Sequence, residues 1–526
     1  MKRGTALIVF GLILIIIGMS VAAEPAVLYI HLVTAPPASG TKIDPLLVEL
    51  ASKYTTLSLS LRFSDKTARD ELMPLLARDE GFVAGYRMHF VPAVYGKLPS
   101  KNLEHLNNYA EIISVVYAAS GQVDLFTVPD DPAPEKAYIT YRDIANFIGA
   151  PAAWSRGFTG AGIKVGVIDT GIDPNHPCLK GKVASEFTAA QGGSLEGPQD
   201  IIGHGTAVAA SIVCNPLDSP YSSIGVAKDA AVLNAKATIQ VLSLTGMAMY
   251  GSEGTMSAAA EWAIEQGADV LTMSLGLIPD PIVSGWWCNQ PYIPTALATP
   301  LAELVKIAAE KGIPWFAAAG NRPIVGCVIY PSSISDFITV GTVSVTWKGG
   351  DHVLEGDASP FPLNIEGKPE IVAPGGMWDG RTASGWACVK IIPGLPCSPK
   401  AVYEVVRIAT SWNSQFDQKD DKTDGWGYGA GTSISTPVAA GVAALVQQYL
   451  GGHQAGNVEK IKILLFDNAK DIEAVGRDQL TGFGRVDADK SLPAIPIPIA
   501  PETSWILVIA GLVLVGIGGI IRRREE

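Results

Sequence analysis

The chain has 526 residues, enough for two or three domains and a large core. Its composition is globular, and 51 acidic against 39 basic residues give a formal net charge of -12. That balance argues against nucleic acid as the main partner, because phosphate binding requires a clustered basic face.

Met1-Lys2-Arg3 provides a charged start, Ala6 to Met19 runs through apolar or small residues, and Val21-Ala22-Ala23 precedes Glu24. This is the pattern of a cleaved secretory signal over 1–23, with an uncleaved anchor as the alternative. Residues 24–53 carry no readable pattern. Thr56 to Phe63 alternates as a half-buried strand does. Asp65 to Glu80 predicts a helix with Leu72, Leu75 and Leu76 on one side and Gly81 beyond its end. Phe82 to Val94 is strand-like, Lys101 to Ala110 helical, and Ile112 to Ala118 a strand. The order β-α-β-α-β predicts a small split βαβ domain. Gly121 to Lys136, containing Pro129-Asp130-Asp131-Pro132-Ala133-Pro134, reads as an exposed linker that completes a unit over 24–136.

A larger domain is expected over 137–492. Apolar runs at Ile163 to Ile168, Val232 to Ala235, Val270 to Leu275, Pro314 to Ala319 and Phe337 to Val343 alternate with helical stretches. Those stretches are Thr206 to Val213, Met256 to Gln266 and Leu301 to Glu310. The alternation predicts an α/β fold, a parallel sheet with helices on both faces. A Pro-rich stalk at 493–504 follows, and Trp505 to Ile521 is free of charge before the basic tail at 522–526. About 17 residues at roughly 1.5 Å each span about 26 Å, enough for a thin bilayer, and Arg522-Arg523-Arg524 should stay cytoplasmic. A membrane partner through this helix is therefore expected. The six cysteines suit a secreted chain with disulfides. Cys388 with Cys397, Cys288 with Cys327, and Cys178 with Cys214 form a candidate set, with metal ligation as the unsupported rival.

Function in an open α/β sheet gathers at the carboxyl ends of strands. Asp169 ends the first strand of the large domain. His204, in Gly203-His204-Gly205-Thr206, begins a helix. Ser433, in Gly431-Thr432-Ser433-Ile434-Ser435-Thr436-Pro437, begins another, with Pro437 expected in the first turn. A serine there suits an ordinary cap as well as a nucleophile favoured by the helix dipole. Acyl transfer to water needs a nucleophile, a base and an acid that orients the base. Asn321, after Ala317-Ala318-Ala319-Gly320, offers a side-chain donor for an oxyanion.

In this order the motifs resemble those of the subtilisin-like serine proteases. Val167-Ile168-Asp169-Thr170-Gly171 is similar to the family's Asp motif, the His204 and Ser433 segments to its His and Ser motifs, and Ala318-Ala319-Gly320-Asn321 to its oxyanion segment. Met273-Ser274-Leu275-Gly276 resembles its substrate-binding strand, and the likeness spans roughly 140–490. The resemblance implies Ser433 as nucleophile, His204 as general base and then acid, and Asp169 orienting the imidazole. It implies Asn321 and the Ser433 N–H as the oxyanion hole. Ser274, Leu275 and Gly276 would pair with an extended substrate, and Ala317, Ala318, Ala319 and Gly320 would wall an open apolar pocket.

The implied fold is a subtilisin-like parallel sheet preceded by a small α+β, ferredoxin-like propeptide domain. The implied partners are protein or peptide substrates and the chain's own propeptide as an intramolecular inhibitor, with the mature N-terminus expected between Gly121 and Lys136. An accessory domain retained permanently is the alternative. No cofactor is required for catalysis, and the family often binds structural calcium. Asp417, Asp420, Asp421 and Asp424 cluster before Gly425, but their spacing favours a solvated acidic loop. His176 and Asp173 are read as structural. His31, His89, His105, His352 and His453 show no partners in the sequence.

Ala207 stands where the family often has a second histidine, Ile434 and Ser435 where it has Met-Ala, and Arg322-Pro323 where glycine is frequent. The segment 376–430 is longer than usual and is expected as a surface subdomain near the cleft. The whole chain thus reads as a self-processing serine endopeptidase tethered at the extracellular face of the membrane. Its C-terminus, with Pro501-Glu502-Thr503-Ser504, also resembles short sorting signals through which it would be released or re-anchored. A binding protein that kept the fold and lost activity is the alternative, opposed by the presence of Asp169, His204, Ser433 and Asn321. A lipase-like hydrolase is opposed by the motif order and the absent G-x-S-x-G elbow.

Overall fold

A computed structural model describes residues 42–124, 137–189, 197–214, 221, 223–243, 246–279, 299–321, 328–346, 350, 368–378, 402–412, 414, 417 and 423–493. The signal-like segment, the stalk, the apolar C-terminal stretch and four of the six cysteines (Cys288, Cys327, Cys388 and Cys397) lie outside these. No helix among the described residues is long and apolar enough to cross a membrane.

The first sheet has its own core. Helix α1 (Pro45–Ala51), in a stretch the sequence left unread, starts where the Asp44 carboxylate accepts from the Leu46 N–H at 2.9 Å. Strand β1 (Thr56–Phe63) buries Leu57, Leu59, Leu61 and Phe63, as its alternation requires. Helix α2 (Lys66–Asp79) is capped by Asp65, but it turns Arg69, Leu72, Met73 and Leu76 inward and leaves Leu75 exposed. The expected strand Phe82 to Val94 is instead two strands, β2 (Val83–Arg87) and β3 (Ala93–Pro99), and Lys101 to Ala110 forms two short 3-10 turns. With β4 (Ile112–Tyr117) the strands form an antiparallel sheet in the order β2-β3-β1-β4.

A further strand departs from expectation. The beginning of the predicted linker is not loop: β5 (Ser120–Asp124) inserts between two strands of the large domain. After it, β6 (Ala137–Ile139), α3 (Tyr141–Phe147) and α4 (Ala150–Ser155) lead to β7 (Lys164–Asp169). Next come β8 (Val183–Thr188), α5 (His204–Val213), β9 (Ala231–Lys236), β10 (Thr238–Ser243), β11 (Gly246–Ser252) and α6 (Glu253–Glu265). The chain continues through β12 (Val270–Met273), β13 (Gly276–Pro279), α7 (Pro300–Glu310), β14 (Trp315–Ala318), β15 (Ile338–Val343) and β16 (Ile371–Pro374).

Seven of these strands form the central sheet, in the order β16-β15-β14-β12-β7-β9-β8, with every neighbouring pair parallel. Their runs are apolar throughout because helices cover them, as a buried parallel sheet demands. The fold is thus the subtilisin-like α/β sheet flanked by helices. Helix α8 (Thr432–Leu450) is buried along most of its length, and α9 (Asn457–Phe466) packs beside it.

The long segment before α8 is only partly a surface feature. Strands β17 (Met377–Trp378), β18 (Val402–Ala409) and β19 (Trp426–Gly429) join β6 in one sheet, and Val405, Val406, Ile408, Ala409 and Trp426 are buried. Apolar residues in this insertion therefore build core, while 379–401 lie outside the described residues.

Candidate active site

Strand β7 carries Asp169 to the carboxyl edge of the sheet, where it is buried. His204 is the first residue of α5 and is fully buried. Its Nδ1 lies 2.7 Å from Asp169 Oδ1, the oxygen that also accepts from the Thr170 N–H at 2.7 Å. Glycine at 205 permits this approach, since a Cβ there would collide with the Gly171 carbonyl and stand 3.1 Å from Asp169 Oδ1. A carboxylate on Nδ1 fixes the tautomer that leaves Nε2 as the base.

Asp200, which sequence reasoning passed over, organises the pair. Its Oδ1 accepts from the Thr170 hydroxyl (3.0 Å), Ile202 N–H (3.0 Å) and Gly203 N–H (2.8 Å). Its Oδ2 accepts from the Thr206 N–H (2.9 Å) and hydroxyl (2.7 Å). Thr170 in turn accepts from the Gly205 N–H at 2.9 Å. One buried carboxylate thus caps the histidine helix and ties it to the residue after Asp169. An aspartate just before the histidine helix was the available signal, because the first N–H groups of a helix lack partners within it and favour a nearby carboxylate.

Ser433 stands in the first turn of α8, buried, with Gly431 before the helix at φ 136. A side chain at 431 would meet Asn321 Oδ1 at 2.5 Å, so only glycine allows the asparagine this close. Asn321 Oδ1 accepts from the Thr432 N–H at 2.8 Å and hydroxyl at 3.0 Å, leaving its amide nitrogen as the donor at the helix start. The Gly320 N–H donates to the Thr432 hydroxyl at 3.1 Å, tying the ends of β14 and α8 together.

Pro437 lies one turn further into α8 than expected. Having no N–H, it cannot donate to the carbonyl of residue 433. That carbonyl accepts instead from the Ser274 hydroxyl at 2.9 Å, and the Ser433 hydroxyl donates to the Ser274 carbonyl at 3.2 Å. The proline therefore frees the group that locks the helix to the chain just before β13.

Ser274, Leu275 and Gly276 are all buried there, and β13 begins at Gly276. Ala317, Ala318 and Ala319 are buried at the end of β14. The open pocket expected beside them is narrowed by Ile329, whose Cγ2 would be 2.6 Å from a Cβ at Gly276 and 3.1 Å from one at Gly320. The small residues make room for this isoleucine. Arg322-Pro323 lie outside the described residues.

Other assignments change with the structure. His89, His105 and His453 do have partners: Glu265 at 2.8 Å, Glu80 at 3.0 Å and Asp269 at 2.7 Å. Spacing could not show this, since each partner is distant in sequence. His31 and His352 lie outside the described residues. Buried His176 contacts the Gly425 carbonyl at 2.8 Å and accepts from the Cys178 N–H at 3.1 Å, and burial lowers its pKa. The Asp173 side chain accepts from the Asn175 N–H at 3.0 Å.

Of the acidic cluster, Asp417 is no solvated loop residue but is buried, accepting from the Gly425 N–H at 2.7 Å. Asp424 accepts from the Trp426 N–H at 3.0 Å, while Asp420 and Asp421 lie outside the described residues. Among the described residues no group of three or more carboxylate, histidine or cysteine side chains is arranged to hold a metal. Cys178 and Cys214 form a disulfide joining the turn after His176 to the end of α5.

Comparison with known proteins adds three findings. A family model described as the subtilase family matches residues 160–484. The chain is 34% identical over 204 residues to the major intracellular serine protease of Bacillus subtilis (strain 168) and 35% identical over 200 residues to subtilisin from Bacillus pumilus. These alignments cover 38% of this chain and 56% and 62% of the two relatives, so the chain spans little more than half of their length. The crystal structure of fervidolysin from Fervidobacterium pennivorans, a keratinolytic enzyme related to subtilisin, is similar with a TM-score of 0.58. At 20% identity, covering 85% of this chain and 62% of that one, it shows the shared fold.

Proposed function

The chain belongs to the subtilase family, and from that premise we propose that it is a serine endopeptidase acting through Asp169, His204 and Ser433. The observation that carries the reading is the buried 2.7 Å contact between His204 Nδ1 and Asp169 Oδ1, with Ser433 at a helix N-terminus beside Asn321. In this reading His204 Nε2 takes the Ser433 proton as Oγ attacks a substrate carbonyl, and Asp169 stabilises the imidazolium. The Asn321 amide and the Ser433 N–H receive the developing oxyanion, where each donor is worth about 3 kcal/mol to the transition state. The proton then passes from His204 to the leaving amine, and water resolves the acyl-enzyme by the same steps.

The proposed substrates are proteins or peptides bound as an added strand along Ser274 to Gly276. Catalysis requires no cofactor in this scheme. Residues 24–136 are proposed to be an inhibitory prodomain and its linker, a reading supported by the strand β5 that enters the sheet next to β13. Secretion through residues 1–23 and tethering through 505–521, with the catalytic part outside the cell, rest on the sequence pattern.

The test compares wild type with Ser433→Ala on casein. The substituted enzyme should lose at least about a thousandfold in kcat, since residual catalysis without the nucleophile is small. Casein cleavage by Ser433→Ala at the wild-type rate would remove the mechanism.

A further inference from the structure

Glu253 opens α6 at one end of the groove that β5 fills between β11 and β13, and no step of the proposed reaction uses it. Beside it β5 pairs antiparallel with β11, Ser120 opposite Ser252 and Gly121 opposite Gly251. The pairing runs on by one residue, because the Glu253 N–H donates to the Ala119 carbonyl at 3.0 Å. Residues opposite one another in such a ladder share a face, and the face changes with each step. Val123 marks the buried face: a Cβ at Gly251 would lie 3.1 Å from Val123 Cγ1, 3.5 Å from Leu277 Cδ2 and 3.6 Å from Met256 Cε. Two residues on from Gly251, the side chain of Glu253 joins that face opposite Ala119, and both are buried.

The carboxylate there is half satisfied. The Tyr330 hydroxyl donates to Oε1, while Oε2 is buried and receives no hydrogen bond among the described residues. Among those residues Glu253 has no ion-pair partner, and Asp44, a second acid, bears on it instead. Its cover is Tyr95 of β3, which lies across the first turn of α6. A Cβ at Gly254 would stand 3.2 Å from Tyr95 Cβ and 3.3 Å from its Cγ, and the Ser257 hydroxyl donates to the Tyr95 hydroxyl at 3.3 Å. Loss of the small sheet opens the volume of the Tyr95 ring and turns Glu253 towards the groove with one oxygen free.

We propose that Glu253 forms a cation subsite of the substrate groove, selecting a lysine or arginine in the place that Ala119 occupies. The proposal rests on the serine-endopeptidase and prodomain reading above and assigns a preference to that same groove. The ladder gives its distance from the reaction. Asp124 lies opposite Gly276, and two residues before Gly276 comes Ser274, whose carbonyl accepts from the Ser433 hydroxyl at 3.2 Å. A substrate residue opposite Ser274 presents its own carbonyl to Ser433. The residue in the place of Ala119 stands seven positions before it, five to the place of Asp124 and two more to Ser274. A long cationic side chain at that position fills the space of the Tyr95 ring and donates to Oε2, supplying both the cover and the missing partner. A bond between two ionised groups is stronger than a neutral one, so the site distinguishes charge as well as length.

The test uses active enzyme prepared from the full chain, wild type and Glu253→Gln, with internally quenched peptides built around a bond that the wild type cuts in casein. The peptides carry lysine, norleucine or glutamate seven positions before the residue whose carbonyl is attacked, and mass spectrometry identifies the bond cut. For the wild type, kcat/KM should be about tenfold higher for lysine than for norleucine, carried by KM, and lowest for glutamate. Glu253→Gln should bring the lysine-to-norleucine ratio close to one, a ratio taken within one preparation and so independent of its folded fraction. In the wild type alone, lysine moved by one residue should gain nothing, because its side chain turns to the other face. Equal rates for lysine and norleucine, a preference that survives in Glu253→Gln, or the same gain from the shifted lysine overturns the subsite and leaves the endopeptidase reading intact. Casein left whole by the wild type overturns the endopeptidase reading and the subsite with it.

Discussion

Asp200 receives both the N–H and the hydroxyl of Thr206, at 2.9 and 2.7 Å, and so closes the first turn of the helix that carries His204. The same carboxylate takes the Thr170 hydroxyl, one residue past Asp169. Asp200 therefore ties the residue after Asp169 to the helix that carries His204.

Removing this clamp should cost both stability and rate. In an inactive Ser433→Ala background, Asp200→Ala should lose about 3 kcal/mol in urea unfolding, as a cap and several hydrogen bonds to a buried charge disappear. In the active chain, kcat should fall by about 100-fold with KM nearly unchanged, because the histidine is misplaced rather than the substrate site. An Asp200→Ala enzyme with wild-type kcat would show that α5 is positioned without it.

Glu253 predicts how stability depends on pH. It is buried at the start of α6, beside Tyr95 of the small sheet; the Tyr330 hydroxyl donates to its Oε1, and Oε2 is buried with no hydrogen-bond partner among the described residues. Burial is the main cause that pushes its pKa up from 4.5 to about 7, against the bond from Tyr330 that lowers it. The folded chain thus holds a proton that the unfolded chain releases between these values. Stability from this group is complete below 4.5 and is lost as pH rises towards 7, by about 3 kcal/mol in all. Urea midpoints of Ser433→Ala measured from pH 4.5 to 8 should fall over this window. The double variant Ser433→Ala/Glu253→Gln should show a shallower fall, and parallel curves would rule out the linkage.

The Cys178–Cys214 disulfide closes a loop with a sequence separation of 36 that contains both Asp200 and His204. On the chain-entropy estimate it contributes about 4 kcal/mol. Replacing both cysteines by alanine in the Ser433→Ala chain should lower the thermal midpoint by several degrees, read by calorimetry without reductant. An unchanged midpoint would mean that the packing of α5 alone fixes this segment.

Much of the central sheet was legible in the sequence because buried parallel strands are short apolar runs, and Ile163 to Ile168 or Phe337 to Val343 read that way without context. The candidate site residues were legible for a different reason. Gly205 and Gly431 sit where a side chain would strike the Gly171 carbonyl or Asn321, so local sterics leave a mark beside each chemical group.

Tertiary structure decided what depends on partners distant in the chain. Gly121 to Asp124 carry the signs of a linker, yet they form a strand, because β11 and β13, more than a hundred residues later, offer unpaired edges on both sides. Asp200 and Glu253 look like surface carboxylates until the fold buries them, and His89, His105 and His453 find acids that no spacing rule reaches. Residue type and short-range sterics determined the strands and the chemical groups. Long-range pairing and burial decided which of those groups meet and which carboxylates lose water.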